Sequence, residues 1–205
     1  MGYKAIALSQ VHGTEGTTIG LELAQKLGFG YLNEEIVAQV AADQGIEPAV
    51  VVDAERRRSF LDRVASVAAR GGVEGVAAGH TNLTSDPEKL LPLIRDAVQD
   101  AAARGNVVLV AHAACYACAD QPDVLRVSVT APMSTRVSRV AAAQGISEKE
   151  AAKALRQSDT ARASYLKKIH GVSRESPSDY DLMINTERLT PTAAVELIVG
   201  LVQAP

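Results

Sequence analysis

Residues 4–27 read KAIALSQVHGTEGTTIGLELAQKL, and this stretch decides the fold class. Residues 4–9 form a short apolar run, which is typical of a buried strand. The turn-prone residues HGTEG follow at 12–16, and apolar side chains then recur at the spacing of one helix face. The stretch therefore predicts a strand, a loop and a helix, in that order.

Strand and helix alternate along the rest of the chain. Apolar runs predict further strands at 106–114, 124–130 and 180–186, and the first of these has the unbroken apolar character of a parallel strand buried on both faces. Helices are predicted at 86–104, 131–144, 148–168 and from Pro191 onward. This alternation predicts an α/β fold, a doubly wound parallel sheet flanked by helices, whose ligands lie beyond the carboxyl ends of the strands.

Two segments are less regular. Residues 31–42 read YLNEEIVAQVAA and predict a helix with Asn33 as its N-cap, because the carboxamide can accept a hydrogen bond from an early helix amide. Residues 54–86 lose the helical spacing and contain three successive arginines at 56–58. We interpret 54–86 as a small helical insert with flexible joints, within a single domain of residues 1–205.

Composition narrows the class of function. The 205 residues carry a net charge of -3 and 22% charged residues, which excludes a generally basic surface for nucleic acid. The longest apolar runs, 107–119 and 193–202, fall short of the ~20 residues that span a bilayer. The chain opens on a strand without a leader pattern and has two cysteines, Cys115 and Cys118. We therefore expect a cytoplasmic protein without nucleic-acid or membrane partners.

The loop after the first predicted strand, SQVHGTEGTT at 9–18, occupies the place of a phosphate cradle. The first amides of a helix are unpaired and lie at the positive end of its dipole, so they bind anions. The loop lacks the lysine of the phosphate-loop pattern. Its remaining phosphate-binding candidates are Gly13, Gly16, Thr17 and Thr18. Glu15 would repel a phosphate unless it turns to solvent or binds magnesium, so a plain strand-to-helix turn stays an alternative.

Further motifs run along nearly the whole chain. They are SQVHGTEGTTIG at 9–20, LAQKLG at 23–28, YLNEEIV at 31–37, AHAA at 111–114, VSVTAPMSTR at 127–136 and YDLMINT at 180–186. The pattern D-x-x-R-A-x-Y is matched by Asp159, Arg162, Ala163 and Tyr165. In this order the motifs resemble the cytidylate kinase-like family, a branch of the P-loop nucleoside monophosphate kinases.

The resemblance implies a P-loop kinase-like fold and ATP-dependent transfer of a phosphoryl group, with Mg²⁺, to a nucleoside monophosphate such as CMP or a similar small acceptor. It implies that Arg136 holds the donor nucleotide near its base. Arg162 would come down onto the transferring phosphates on a helical lid at 147–170, with Asp159 orienting it and Arg156 assisting. Such transfer depends mainly on positioning and charge stabilisation, so these side chains would carry the reaction.

The resemblance also assigns residues to three parts of a nucleotide site. These are the nucleotide contacts Gly13, Thr14, Gly16, Thr17 and Thr18, the magnesium contacts Thr17 and Thr18, and the acceptor side with Asn33, His112 and the insert 54–86. Gln10, Thr17 and His112 stand where the family pattern has arginine. A catalytically impaired homologue, serving as a nucleotide-sensing or protein-binding module, is therefore the alternative function. The alanine-rich helices leave both a monomer and a homodimer open.

Cys115 and Cys118 form a CxxC pair after a predicted buried strand. Such a pair could serve in dithiol exchange, or could form half of a metal site with His80 and His112 if the fold brings them together. A second CxxC pair is absent from the sequence, so a four-thiolate zinc site within one chain is excluded. The interpretation we favour is two small residues at the start of an alanine-rich helix.

Overall fold

The computed structural model describes residues 2–33, 36, 87–111 and 113–204, and for residues 87–93 it describes the backbone. Within these residues one sheet contains the strands β1 Ala5–Gln10, β2 Gly30–Asn33, β3 Val107–Val110, β4 Val124–Thr130 and β5 Leu182–Asn185. The helices are α1 Gly16–Leu27, α2 Pro87–Arg104, α3 Ala114–Ala117, α4 Met133–Gln144, α5 Glu148–His170 and α6 Pro191–Val202. All neighbouring strands are parallel, in the order β2-β3-β1-β4-β5, so the predicted fold class is confirmed.

Strand β1 is the centre of the sheet. Ala5 pairs with Val107 of β3 on one side and with Val124 of β4 on the other, and residues 5–8 are fully buried. The apolar run that predicted this strand is therefore explained by burial on both faces. Since every strand points the same way, the carboxyl ends of β1, β2, β4 and β5 meet at one edge of the sheet, where a ligand site is expected.

Helices cover both faces of the sheet. Ser9 Oγ accepts a hydrogen bond from the backbone N–H of Cys115 in α3, whereas its neighbour Gln10 lies against Gly16 at the start of α1. Neighbouring residues of a strand point to opposite faces, so α1 and α3 lie on opposite sides of the sheet. Helix α6 packs on α1, α2 packs on α3, and α4 packs on α5 around a small apolar cluster of its own.

Several helix ends agree with the sequence prediction. Helix α5, predicted at 148–168, opens with a capping box in which Ser147 and Glu150 each bind the other's backbone N–H. Gly28 and Gly145 end α1 and α4 in the left-handed conformation that glycine adopts most readily. Pro191 is the first residue of α6. Among the described residues, no helix has both the length and the apolar character needed to cross a membrane.

Strand β2 was missed in the sequence, because residues 31–33 were interpreted as the beginning of the helix predicted at 31–42. The predicted strand at 106–114 is shorter, since β3 ends at Val110 and the one-turn helix α3 begins at Ala114. Asn33 Oδ1 accepts from the backbone N–H of Ile36 at 2.8 Å, the bond expected of the predicted N-cap. Most of the helix predicted at 31–42 lies outside the described residues. The predicted insert at 54–86 lies outside the described residues.

Gly20 brings α1 into close contact with β3, and Gly20→Ala is expected to destabilise the fold. An added Cβ would overlap Val110 Cγ2 and would lie 3.3 Å from Tyr31 Cε2. Overpacking of this kind costs about 1–3 kcal/mol of unfolding free energy, measurable by urea denaturation. Gly200→Ala is the matched control, because an added Cβ there meets open space within α6 and should stabilise the helix by about 0.5–1 kcal/mol. Equal stability of Gly20→Ala and the wild type would contradict the close packing.

Candidate functional site

The loop between β1 and α1 lies at the carboxyl edge of the sheet. Gly13 has φ +84° and Glu15 has φ +62°, so the chain turns sharply before α1 begins at Gly16. The Glu15 carboxylate makes no cap hydrogen bond to α1 and instead forms an ion pair with Arg139 Nη2 at 3.1 Å. The first-turn amides of α1 have no intrahelical acceptor, so this helix start can receive an anion.

The threonines of the loop differ in orientation. Thr14 is buried, and its hydroxyl donates to the carbonyl of Val11 at 2.7 Å, so a nucleotide can meet this residue through its backbone. Thr17 and Thr18 are exposed in the first turn of α1. Thr17 Oγ1 accepts from Gln10 Nε2 at 3.1 Å, and Gln10 therefore lies across the helix start.

Arg136 of α4 joins the loop to α5. Its side chain is buried, Nε donates to the carbonyl of His12 at 2.6 Å, and Nη1 and Nη2 donate to the two Asp159 oxygens at 2.9 and 2.6 Å. The expectation that Asp159 orients Arg162 by direct contact is therefore wrong, because Arg162 pairs with Glu175. The reason is that α4 packs along α5 and places the Arg136 guanidinium against both oxygens of the carboxylate.

Arg139, one turn further along α4, supports the same loop. Its Nη1 and Nη2 donate to the hydroxyl and the carbonyl of Thr186, at 2.9 and 2.7 Å. The Thr186 hydroxyl in turn donates to the carbonyl of Thr14 at 3.1 Å. Together with the ion pair to Glu15, these bonds fix the loop from the side of α4, a role for Arg139 and Thr186 that sequence analysis missed.

Arg162 is 8% exposed and pairs with a residue that sequence analysis also missed. Both of its Nη atoms donate to the Glu175 carboxylate, Nη2 to Oε1 at 2.8 Å, and the Tyr180 hydroxyl donates to the same carboxylate. Burial would raise the pKa of Glu175, but the bonds from Arg162 and Tyr180 lower that pKa below its ordinary value. Burial and the neighbouring Glu175 raise the pKa of Tyr180 to about 12. The pair is therefore charged at neutral pH, and the tyrosine is protonated.

A cavity of about 280 Å³ lies beside the loop and contains this pair. Its lining residues are Gln10, Val11, Ser128, Val129, Thr130, Arg162, Glu175, Ser176, Pro177, Tyr180 and Met183. Arg162 Nε is buried there, and no acceptor among the described residues bonds to it. Arg156, on the same helix, is exposed and does not line the cavity. His112 lies outside the described residues.

A family model described as the cytidylate kinase-like family matches residues 5–188. The chain belongs to the cytidylate kinase-like family. The cytidylate kinase of Ignicoccus hospitalis is 35% identical over 113 residues, 55% of this chain and 64% of that protein. The cytidylate kinase of Methanopyrus kandleri is 31% identical over 98 residues, 44% of this chain and 51% of that protein. The alignments thus span less than two thirds of either relative.

Two solved structures share the fold of this cytidylate kinase-like protein over nearly its whole length. An uncharacterized protein from Eubacterium ventriosum has a TM-score of 0.65 at 16% identity, covering 98% of this chain and 99% of its own. The shikimate kinase of Bacteroides thetaiotaomicron has a TM-score of 0.53 at 14% identity, and the match covers 97% of this chain and 98% of that kinase. The predicted P-loop kinase-like fold is therefore confirmed.

The two cysteines of this cytidylate kinase-like protein are free and buried. Cys115 Sγ, in α3, donates to the carbonyl of Ala7 in β1 at 3.2 Å. Burial raises the pKa of Cys115 to about 11, and burial together with Cys115 raises that of Cys118 to about 12. Within the described part of the chain, no three His, Cys, Asp or Glu side chains cluster as metal ligands, and His80 and His112 lie outside it. The geometry is that of two packed thiols in the core.

Both thiols are expected to resist alkylation. At pH 8, raising the pKa of Cys115 from 9.0 to about 11 lowers its thiolate fraction about 10²-fold, and the pKa of about 12 lowers that of Cys118 further. Burial adds a barrier to access. Iodoacetamide should therefore label Cys115 and Cys118 at least about 10²-fold more slowly in the folded protein than in urea, measured by mass spectrometry. Labelling should accelerate as the pH rises toward the raised pKa values. Fast labelling of either residue in the folded protein at pH 8 would contradict the packed geometry.

Proposed function

We propose that this protein is an ATP-dependent phosphotransferase whose acceptor is a nucleoside monophosphate such as CMP or a similar small molecule. The observation that carries the proposal is the juxtaposition of an uncapped helix start with a buried arginine. The first turn of α1 opens at the carboxyl edge of the sheet, and Arg162 lines the cavity beside it. Membership of the cytidylate kinase-like family supports a kinase of nucleotides or other small molecules.

The loop would bind the phosphates of the donor nucleotide. The backbone amides of residues 13–18 supply donors, and the ion pair with Arg139 neutralises Glu15, which would otherwise repel the phosphates. No lysine stands in this loop, so the positive charge for the transferring phosphoryl group has to come from another element. Arg162 is the guanidinium that lines the neighbouring cavity, and we assign it this role.

Magnesium fits the loop through a hydroxyl. Mg²⁺ in kinase sites keeps several waters and takes one or two protein oxygens together with phosphate oxygens, so a dense carboxylate cluster is not required. Thr17 and Thr18 present exposed hydroxyls in the first turn of α1, and Gln10 would have to release Thr17 for it to bind the ion. The bound ion would neutralise charge on the phosphates.

The acceptor side is assigned to Asn33, His112 and the insert 54–86. Asn33 is the member of this group that the structure describes, and it lies at the carboxyl end of β2, on the same edge as the loop. Its Oδ1 accepts from Ile36, so an acceptor molecule would meet the Nδ2 donors of the carboxamide. Such donors suit an oxygen of a phosphate or a base.

A specific observation favours the second candidate, a kinase-fold module that binds nucleotide without turnover. Gln10 lies across the start of α1 and holds the Thr17 hydroxyl, and the Arg162 guanidinium is already paired with Glu175. In this arrangement Arg162 and Thr17, one of the two magnesium candidates, are engaged within the chain. A sensing or protein-binding module would retain the nucleotide site and dispense with the rearrangement that turnover needs.

Calorimetric titration with Mg-ATP, CMP and the other nucleoside monophosphates, followed by a coupled assay of ADP release, tests both candidates. Binding of ATP and an acceptor with ADP release that depends on both supports the phosphotransferase. Binding of ATP without acceptor-dependent ADP release supports the module. If no nucleotide binds at millimolar concentration, both nucleotide-dependent functions are excluded. The assay of each monophosphate in parallel identifies the acceptor base.

A further inference from the structure

Arg136 of α4 bonds both the loop before α1 and a side chain of α5. It bonds the His12 carbonyl at 2.6 Å on one side and both oxygens of Asp159 on the other. We propose that Arg136 and Asp159 are positioning residues that couple helix α5 to the nucleotide-binding loop. The proposal rests on the proposed function only in taking that loop as the nucleotide site.

The contact of Arg136 with the loop includes its backbone. A Cβ placed on Gly13 would lie 3.2 Å from Arg136 Cβ and 3.3 Å from the Arg136 carbonyl oxygen. Residues 12 and 13 are therefore pressed against α4 while the guanidinium holds the His12 carbonyl. A displacement of the guanidinium would move the turn that positions the first amides of α1.

The bond between Arg136 and Asp159 fixes orientation as well as distance. Nη1 and Nη2 each bond a different Asp159 oxygen, a bidentate contact that constrains orientation, and Arg136 is only 5% exposed. Removing the carboxylate would leave a buried cation without its counter-ion, which strongly disfavours the present position of that side chain. Lysine could not replace Arg136, because a single ammonium cannot hold a planar carboxylate and a carbonyl on its opposite side.

Helix α5 also carries Arg162, three residues after Asp159. Residues three apart lie on neighbouring positions of one helix face, so anchoring Asp159 also sets where Arg162 lies relative to the loop. A nucleotide that orders the loop would favour one position of α5, and by linkage that position of α5 would favour the nucleotide. Arg136 thus connects the phosphate-binding turn with the helix that delivers the cation.

A direct contact of Arg136 with the nucleotide, as its place in the sequence motif implies, makes the opposite prediction for Asp159. If Arg136 touched the nucleotide, the Asp159 carboxylate would compete for the same guanidinium, and removing the carboxylate would leave ATP affinity equal or higher. If Arg136 positions the loop, removing the carboxylate loosens the loop and lowers ATP affinity. The sign of the effect of Asp159→Asn therefore decides between the two roles.

The first measurement is amide hydrogen exchange in the protein without nucleotide. Asp159→Asn is expected to speed exchange of the amides of residues 11–18 about tenfold, the size of a typical coupling between sites. Asp120→Asn is the matched control, an exposed aspartate outside the loop and α5, and should leave these amides unchanged. Unchanged exchange in the loop of Asp159→Asn would overturn the proposal. If Asp159→Asn does not fold, Arg136→Lys replaces it with the same readout and the same expectation.

The second measurement is the Kd of Mg-ATP by calorimetry for the wild type and the same variants. Asp159→Asn is expected to weaken binding about tenfold, with Asp120→Asn equal to the wild type. Equal or tighter binding by Asp159→Asn would overturn the coupling, and tighter binding would favour direct contact of Arg136 with the nucleotide. Failure of the wild type to bind ATP would overturn the proposed function, while the exchange measurement would still decide whether Asp159 and Arg136 hold the loop.

Discussion

Arg162→Ala is expected to lower kcat of phosphoryl transfer by about 10³-fold, as loss of a transition-state arginine does in related chemistry. The Kd of Mg-ATP should change far less, because the loop amides bind the ground-state phosphates and the guanidinium acts on charge that develops during transfer. Steady-state kinetics of ADP release together with calorimetry separate the two quantities. A kcat equal to that of the wild type would rule out the role assigned to Arg162.

The same substitution is expected to affect stability, so a control is needed. Arg162→Ala leaves Glu175, whose side chain is 33% exposed, with the Tyr180 hydroxyl as its remaining hydrogen-bond partner. The substitution should lower the unfolding free energy by about 1–3 kcal/mol. The double variant Arg162→Ala with Glu175→Gln removes the unpaired charge and should regain most of that stability without regaining activity. Recovery of activity in the double variant would show that the loss came from misfolding.

Gly13→Ala is expected to lower kcat/KM for Mg-ATP by about 10²-fold, because the loop would be displaced from the position its amides need. Gly13 has φ +84°, where a side chain costs about 1–2 kcal/mol. An added Cβ would also lie 3.2 Å from both Arg136 Cβ and Val140 Cγ2, which are packed in the junction of α4 with the loop. Steady-state kinetics and urea denaturation measure the two effects.

Gly28→Ala separates the two contributions. Gly28 has φ +66°, but an added Cβ there meets open space at the end of α1. Gly28→Ala should therefore lose a similar amount of unfolding free energy to backbone strain and keep wild-type kinetics. If Gly13→Ala and Gly28→Ala have the same kcat/KM, close packing of the loop on α4 is not what positions it.

The fold could be predicted because its signals are local. The apolar run of β1, the glycine-rich turn and the helical spacing of α1 lie within 24 consecutive residues, and the capping box of α5 within four. Periods of two and 3.6 residues are properties of a continuous segment, and the parallel sheet follows from their alternation. Strand β2 escaped prediction because residues 31–33 run directly into a helical pattern, and what makes them a strand is their pairing with β3, which is distant in sequence.

The sequence identified several charged residues of the site, but it did not predict correctly which of them pair with each other. Arg162 was identified by its motif, and it does line the cavity beside the loop. Asp159 was assigned to Arg162, three residues away, whereas its partner is Arg136, 23 residues away on another helix. Glu175 carries no motif in the sequence. Which carboxylate meets which guanidinium depends on how α4 packs on α5, and no periodicity of a single segment contains that information.

The ion pair between Glu15 and Arg139 makes those two positions dependent on each other. Glutamate in a left-handed turn adds backbone strain and a negative charge where phosphate is expected, and Arg139 offsets the charge. Replacing Glu15 by glycine alone would relax the turn and remove its negative charge, leaving the Arg139 guanidinium as a positive charge beside the loop. A single substitution at position 15 would thus make this turn less strained and more positive. Loss of Arg139 alone would instead leave the Glu15 carboxylate unpaired, where it would repel a phosphate.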